Sequence, residues 1–286
     1  MKNKKRLSIF AGILIVIGIV GSLASFHSTD PVPVSDKKVI SNNTISNVMI
    51  DTDNARVNIY PSKDKNIKVT LEGKVSANIK RLLTTNVKGK TLRVTYNEKQ
   101  LSWFNFDFTA LRPLTLAIYL PEKQYESVGV KSDNGYVTAE SLNTTHAEIH
   151  TDNGRVFIRD SHTQTMTAES NNGLMNLTNI KAQSVQLKTD NGRLNLDHVD
   201  GKLEGESHNG SISLITKDLD RTIDFTTDNG RITIKTEKDP TNVQFNVSVD
   251  NGKINILNKY TGNAVIGKGK NSIQLTSHNG SISVQK

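Results

Sequence analysis

Thr151-Asp152-Asn153-Gly154-Arg155 is written here in full and then repeated, with small edits, toward the C-terminus. Asn-Gly occurs at Asn134-Gly135, Asn153-Gly154, Asn172-Gly173, Asn191-Gly192, Asn209-Gly210, Asn229-Gly230, Asn251-Gly252 and Asn279-Gly280, with steps of 19, 19, 19, 18, 20, 22 and 28 residues. A period near 19 is too short for a globular domain. It suits one unit that buries its apolar face only by stacking on its neighbours. Numbered from each glycine as zero, positions −7, −5, +2 and +4 are mostly aliphatic, as in Val185, Leu187, Leu194 and Leu196. The positions between them are mainly polar, so each unit reads as two short strands with one buried face each.

Asn-Gly is also a strong hairpin signal, which would give an antiparallel meander. The near-constant period favours a β-solenoid, in which each strand pairs with its equivalent one coil along, about 4.8 Å away. Stacked asparagines could then pass amide hydrogen bonds from coil to coil. The expected fold is all-β: a parallel β-helix-like solenoid of about eight coils over residues 127–286, after a β-rich N-terminal part over 37–126. That part holds one degenerate coil, in which Thr52-Asp53-Asn54 is followed by Ala55 where glycine is expected. Further strands are expected at Asn66–Leu71, Thr91–Tyr96 and Leu114–Leu120, with a turn at Lys88-Gly89-Lys90 and a helical turn or two over Ala77–Leu83. With Ser281–Val284 as the last strand, the final coil should be left open, as a bare sheet edge.

The chain of 286 residues has 35% hydrophobic and 5% aromatic residues, which suits a thin core of small aliphatic layers. Cysteine is absent, which excludes disulfides, zinc thiolates and thiol catalysis. A basic head over residues 1–6 precedes an uncharged run over 7–26, long enough to span a bilayer. Retention as an anchor and cleavage as a signal peptide near Ser22-Leu23-Ala24 are both open. Either way the head is cytoplasmic and the rest is expected outside the cell membrane, secreted if the segment is cleaved. Residues 27–36, with Pro31 and Pro33, read as an extended stalk. The formal charge of +8 includes four charges in the head, so the exported part is only mildly basic. Nucleic acid is excluded as a partner; weak attraction to anionic wall polymers or lipid headgroups is retained.

Position −2 holds Asp133, Asp152, Asp190, Asp228 and Asp250, with Asn171, His208 and His278 in the other units. A Ca²⁺ column is one reading; an Asp capping its own turn is the simpler one. Position +1 carries Arg155, Arg193, Arg231 and Lys253, either as ion-pair partners of the −2 carboxylates or as a basic stripe for acidic polymers. His150, His162, His198, His208 and His278 lack metal-ligand spacing and read as surface residues. Trp103, Phe104, Phe106 and Phe108 form an aromatic segment, read as a cap on the solenoid or as a contact with membrane or partner. No cofactor is expected. The acids are spread one per unit and not gathered in a cleft, and motifs for a nucleophile, phosphate loop or metalloprotease are absent, so no enzymatic activity is expected.

The basic head with its apolar segment, the Pro-containing stalk, the Leu114–Pro121 strand and the Asp-Asn-Gly units together resemble the bacterial "putative adhesin" repeat-domain family. Its LiaG-like members are membrane-anchored envelope proteins of Gram-positive bacteria. The resemblance covers residues 7–286 and implies a non-enzymatic binding or scaffold protein linked with envelope stress; it carries no catalytic residues. The alternatives are a carbohydrate-active β-helix enzyme on wall or capsular glycan, and a regulator that binds a neighbouring membrane protein.

Overall fold

The computed structural model describes residues 11–20, 31–75, 79–100 and 113–286. Residues 11–20 are helical, and no helix among the described residues is long and apolar enough to cross a membrane. The run expected as an anchor, 7–26, lies partly outside the described residues. The other regular elements among the described residues are β-strands.

The Asn-Gly units do not fold back as hairpins. β8 (Tyr125–Glu140) pairs in parallel with the first unit of β9 (Asn143–Lys181), from Val128↔Ala147 through Gly135↔Gly154 to Ala139↔Ile158. The second unit of β9 pairs in the same way with β10 (Ser184–Val199), again with glycine opposite glycine. β10 is followed by β11 (Lys202–Ser207) and β12 (Ile212–Thr216). These are followed by β13 (Ile223–Asn229) and β14 (Ile232–Thr236). The registers place equivalent positions side by side, so the aliphatic columns at −7, −5, +2 and +4 line one continuous core. A further inward column at −3, next to the Asn-Gly corner, is buried Ser or Thr from Thr52 to Ser277.

The degenerate first coil is β2 (Asn47–Thr52) and β3 (Ala55–Ser62), paired in parallel with β8. Its other side is covered. β6 (Thr91–Gln100) pairs with β2, and β7 (Leu114–Pro121) pairs with β3. β4 (Ile67–Val75) runs antiparallel to β7, and β1 (Val32–Ile40) antiparallel to β4. Two expectations are corrected here. The stalk is shorter than its composition suggests, because Val32–Asp36 pairs with Leu71–Val75 as part of β1. The stretch read as helical turns from Ala77 becomes β5 (Ile79–Lys88), a hairpin partner of β6 turned at Gly89 with φ 60°. Pairing with β6 over ten residues outweighs the weak helical bias of Ala77–Leu83.

The chain order of the stack breaks at the end. β17 (Asn271–Gln285) lies between β13/β14 on one side and β15 (Val243–Ile256) on the other. The connecting loop carries β16 (Ala264–Ile266), antiparallel to the start of β15. The C-terminal strand is therefore interior, not the open coil its position in sequence implied; the outermost coil is that of Gly252.

Candidate functional site

The corner residues form a ridge along the stack. In each unit an asparagine amide donates to the asparagine of the adjacent coil: Asn134 to Asn54 and Asn153 to Asn134 at 3.0 Å, Asn172 to Asn153 at 2.8 Å, and Asn191 to Asn172, Asn209 to Asn191 and Asn229 to Asn209 at 2.9 Å. Asn279 donates to Asn229 and Asn251 to Asn279, both at 3.0 Å, following the spatial order of the coils.

The glycines are required by close approach rather than by an unusual backbone angle. A Cβ at Gly173 would lie 1.7 Å from the Gly154 carbonyl oxygen, and one at Gly280 would lie 1.7 Å from that of Gly230. Each such Cβ points at the coil before it in the stack. Ala55 belongs to the first coil, which has no Asn-Gly corner before it, and that is why the one departure from glycine is tolerated there.

Two charged columns flank this ridge. In stack order, position −2 reads Asp53, Asp133, Asp152, Asn171, Asp190, His208, Asp228, His278, Asp250: the first three carboxylates adjoin one another, and from Asp152 onward carboxylates alternate with Asn or His. Asn171 donates to Asp152 at 3.3 Å, and the Nδ1 atoms of His208 and His278 lie 3.0 Å from Asp190 and Asp228. Position +1 reads Arg56, Tyr136, Arg155, Leu174, Arg193, Ser211, Arg231, Ser281, Lys253: a cation at every second coil. Both alternations exist only in the spatial order. Stacked in chain order, Asp228 would adjoin Asp250 and Arg231 would adjoin Lys253, and like charges directly opposite on a sheet are destabilising.

The ion pair expected across each corner is not formed. Among the described residues no salt bridge joins Arg155, Arg193, Arg231 or Lys253 to a −2 carboxylate. Among the described residues no −2 Asp of these units is hydrogen-bonded to its own turn; Asp152, Asp190 and Asp228 instead meet Asn171, His208 and His278 of the next coil. Arg155 and Arg56 instead bracket the Tyr136 ring at 5.6 and 5.0 Å, and the Arg231 Nε donates to Ser281 Oγ at 3.0 Å. All four +1 cations are exposed. From Asp152 to Asp228 the acids are engaged by the adjacent coil, and the +1 cations face solvent.

The remaining sequence candidates are dispersed. Trp103, Phe104, Phe106 and Phe108 lie outside the described residues. His150 sits between Asp152 and Glu169 at 3.4 and 3.6 Å, and His162 is exposed elsewhere. No group of three His, Cys, Asp or Glu side chains is placed to hold a metal among the described residues. His198 marks a feature that sequence reading missed. It occupies a second corner, six residues past the glycine, where Ser141, Asp160, Asn179 and His198 all have φ of 51–54°. The signal was the residue type: Ser, Asp, Asn and His at one offset, three of them tolerant of left-handed backbone. At this corner His198 hydrogen-bonds Glu237 at 3.0 Å and Asp197 at 2.6 Å, and these bonds raise its pKa.

The strands stack in parallel into an all-β repeat with an asparagine ridge along its corners. Residues 45–285 match the Toastrack DUF4097 family, and the chain belongs to that family. A structure described as a "putative adhesin" from Bacteroides fragilis is similar at 15% identity and TM-score 0.51, covering 87% of this chain and 96% of that one. A "putative cell adhesion protein" from Clostridium sporogenes, at 15% identity and TM-score 0.36, covers 89% and 99%. A "putative lipid binding protein" from Parabacteroides distasonis, at 15% and 0.37, covers 88% and 97%. At these identities the likeness is one of fold. Among curated proteins none matches the chain.

Proposed function

We propose that this chain is a non-enzymatic, membrane-anchored β-solenoid of the cell envelope, whose asparagine ridge binds a repeating anionic polymer such as a phosphate-rich wall polymer. The observation that carries this reading is the asymmetry of the two columns. From Asp152 to Asp228 the −2 carboxylates are half-buried and engaged by Asn or His of the adjacent coil, while Arg155, Arg193 and Arg231 are exposed with no carboxylate partner among the described residues. Recurring at every second coil, these cations repeat about every 9.6 Å. A rigid row of that kind matches a polymer with regularly repeated phosphates better than a single small ligand. Arg suits phosphate through its planar, bidentate donors. The anchor at 7–26, the extracytoplasmic location and a link with envelope stress are parts of the same proposal and rest on the sequence pattern.

The test is retention of the full chain on purified anionic wall polymer over a salt series. Retention should fall as salt rises, because counterion screening weakens contacts between exposed charges. Replacing Arg155, Arg193 and Arg231 together with Gln should abolish it. Retention by the triple variant equal to that of the native chain would exclude the ridge as the binding surface.

A further inference from the structure

The stack is closed at one end and open at the other. At the N-terminal end the first coil is covered by β6 and β7. At the other end β15 is outermost, and the loop after it covers only the extremities. Ala264–Ile266 pairs with Val243–Phe245, Tyr260 bridges Ile256, and the Asn263 side chain accepts from the Val247 amide at 2.7 Å. From Ser248 to Asn255 no strand among the described residues pairs with the outer edge of β15. A bare edge of this kind is a template for another strand.

The residues along that edge favour being covered. Position −3 is a buried Ser or Thr in the eight other coils, from Thr52 to Ser277, but Val249 in the outermost one. Val247, Val249 and Ile254 are only partly buried there. At the one coil where a hydroxyl would meet solvent, the sequence places an aliphatic group instead. The exposed stretch is also centred on the corner, with a pattern that reads as its own complement: Val249-Asp250 before Asn251-Gly252, and Lys253-Ile254 after it.

We propose that a second copy of this chain covers this edge, the two terminal coils meeting head to head about a two-fold axis through the Asn251-Gly252 corner. Such an axis lays the arm before the corner of one copy antiparallel on the arm after the corner of the other. Asp250 then faces the partner's Lys253, and Val249 faces the partner's Ile254, each contact made twice. At the opposite end the unpaired edges among the described residues belong to β1 and β5, which are not Asn-Gly coils and do not offer the complement of the Asn251-Gly252 corner. The contact is isologous, and it closes at a dimer instead of propagating into a fibre.

Mass measurement of the detergent-solubilised full chain over a dilution series tests this. The native chain should be a dimer. Asp250→Lys and Lys253→Asp each set like charges face to face, twice, and each should weaken the dimer by about tenfold or more. Mixing the two variants restores both opposite-charge contacts and should restore the dimer. Val249→Thr supplies the side chain of the other coils, so it should leave the melting temperature nearly unchanged while weakening association. A native chain that is monomeric at every concentration would overturn the proposal. So would a dimer indifferent to the charge changes, or variants whose mixture stays dissociated although both remain folded by circular dichroism.

Discussion

The conspicuous residue of the repeat, glycine, was legible in the sequence, but its reason was not. Asn-Gly suggests a turn that needs a left-handed backbone, whereas the actual constraint is a carbonyl oxygen of the adjacent coil 1.5–2.4 Å from where a Cβ would stand. Only the stacked structure brings that oxygen there, so no local rule reveals it. Gly173→Ala should force neighbouring coils apart and cost about 1–3 kcal/mol or more, read as a lowered midpoint in chemical denaturation. Ala55→Gly, in the first coil, should cost only about 0.5–1 kcal/mol, through the unfolded chain. A Gly173→Ala variant as stable as the native chain would mean the coils are not so closely stacked. His198 supplies a second residue-scale prediction. Its pairing with Glu237 and Asp197 raises its folded-state pKa above the unfolded value of about 6.5. The pairing therefore contributes fully below that value and is lost as pH rises through the folded pKa. NMR titration should show the His198 ring changing charge above about pH 6.5, and His198→Gln should remove the associated pH dependence of stability. Because the ring is largely solvent-exposed, that change should be small.

At the scale of elements, the alternation of apolar and polar residues at −7, −5, +2 and +4 was enough to define two strands per unit, and the constant period was enough to favour parallel stacking over hairpins. The order of the last two units was not legible from the pattern, because both carry the same inward-facing residue types and either could occupy either layer. The outward positions hold the missing information. Asp228 and Asp250 repel if adjacent, as do Arg231 and Lys253, and inserting the His278/Ser281 coil between them separates both pairs. Ser277 also donates to the Gly230 carbonyl at 3.0 Å, a bond that Val249 in the same layer could not make. The 28-residue step between the last two Asn-Gly pairs reflects the chain from Asn258 to Lys270, which leaves the outer coil, pairs briefly along its edge as β16 and returns inside it. β5 is the other lesson at this scale: its helical bias yielded to a hairpin partner that the sequence had already marked with Lys88-Gly89-Lys90.

At the scale of the whole molecule, the coil order decides whether the ridge is a neutralised surface or one that presents cations. In stack order the carboxylates from Asp152 to Asp228 are occupied by Asn or His of the adjacent coil and the cations recur at every second coil, which is the basis for reading the ridge as a surface for a repeating anion. In chain order Asp228 would adjoin Asp250 and Arg231 would adjoin Lys253, and the alternation would fail in the last units. The order can be tested directly because the chain contains no cysteine. Adjacent parallel strands lie about 4.8 Å apart, within disulfide reach, and strands two coils apart, at about 9.6 Å, are beyond it. The double variant Arg231→Cys/Ser281→Cys should therefore cross-link under mild oxidation, and Arg231→Cys/Lys253→Cys should not. Cross-linking of residues 231 and 253 without cross-linking of 231 and 281 would contradict the inserted C-terminal strand, and with it the alternating ridge.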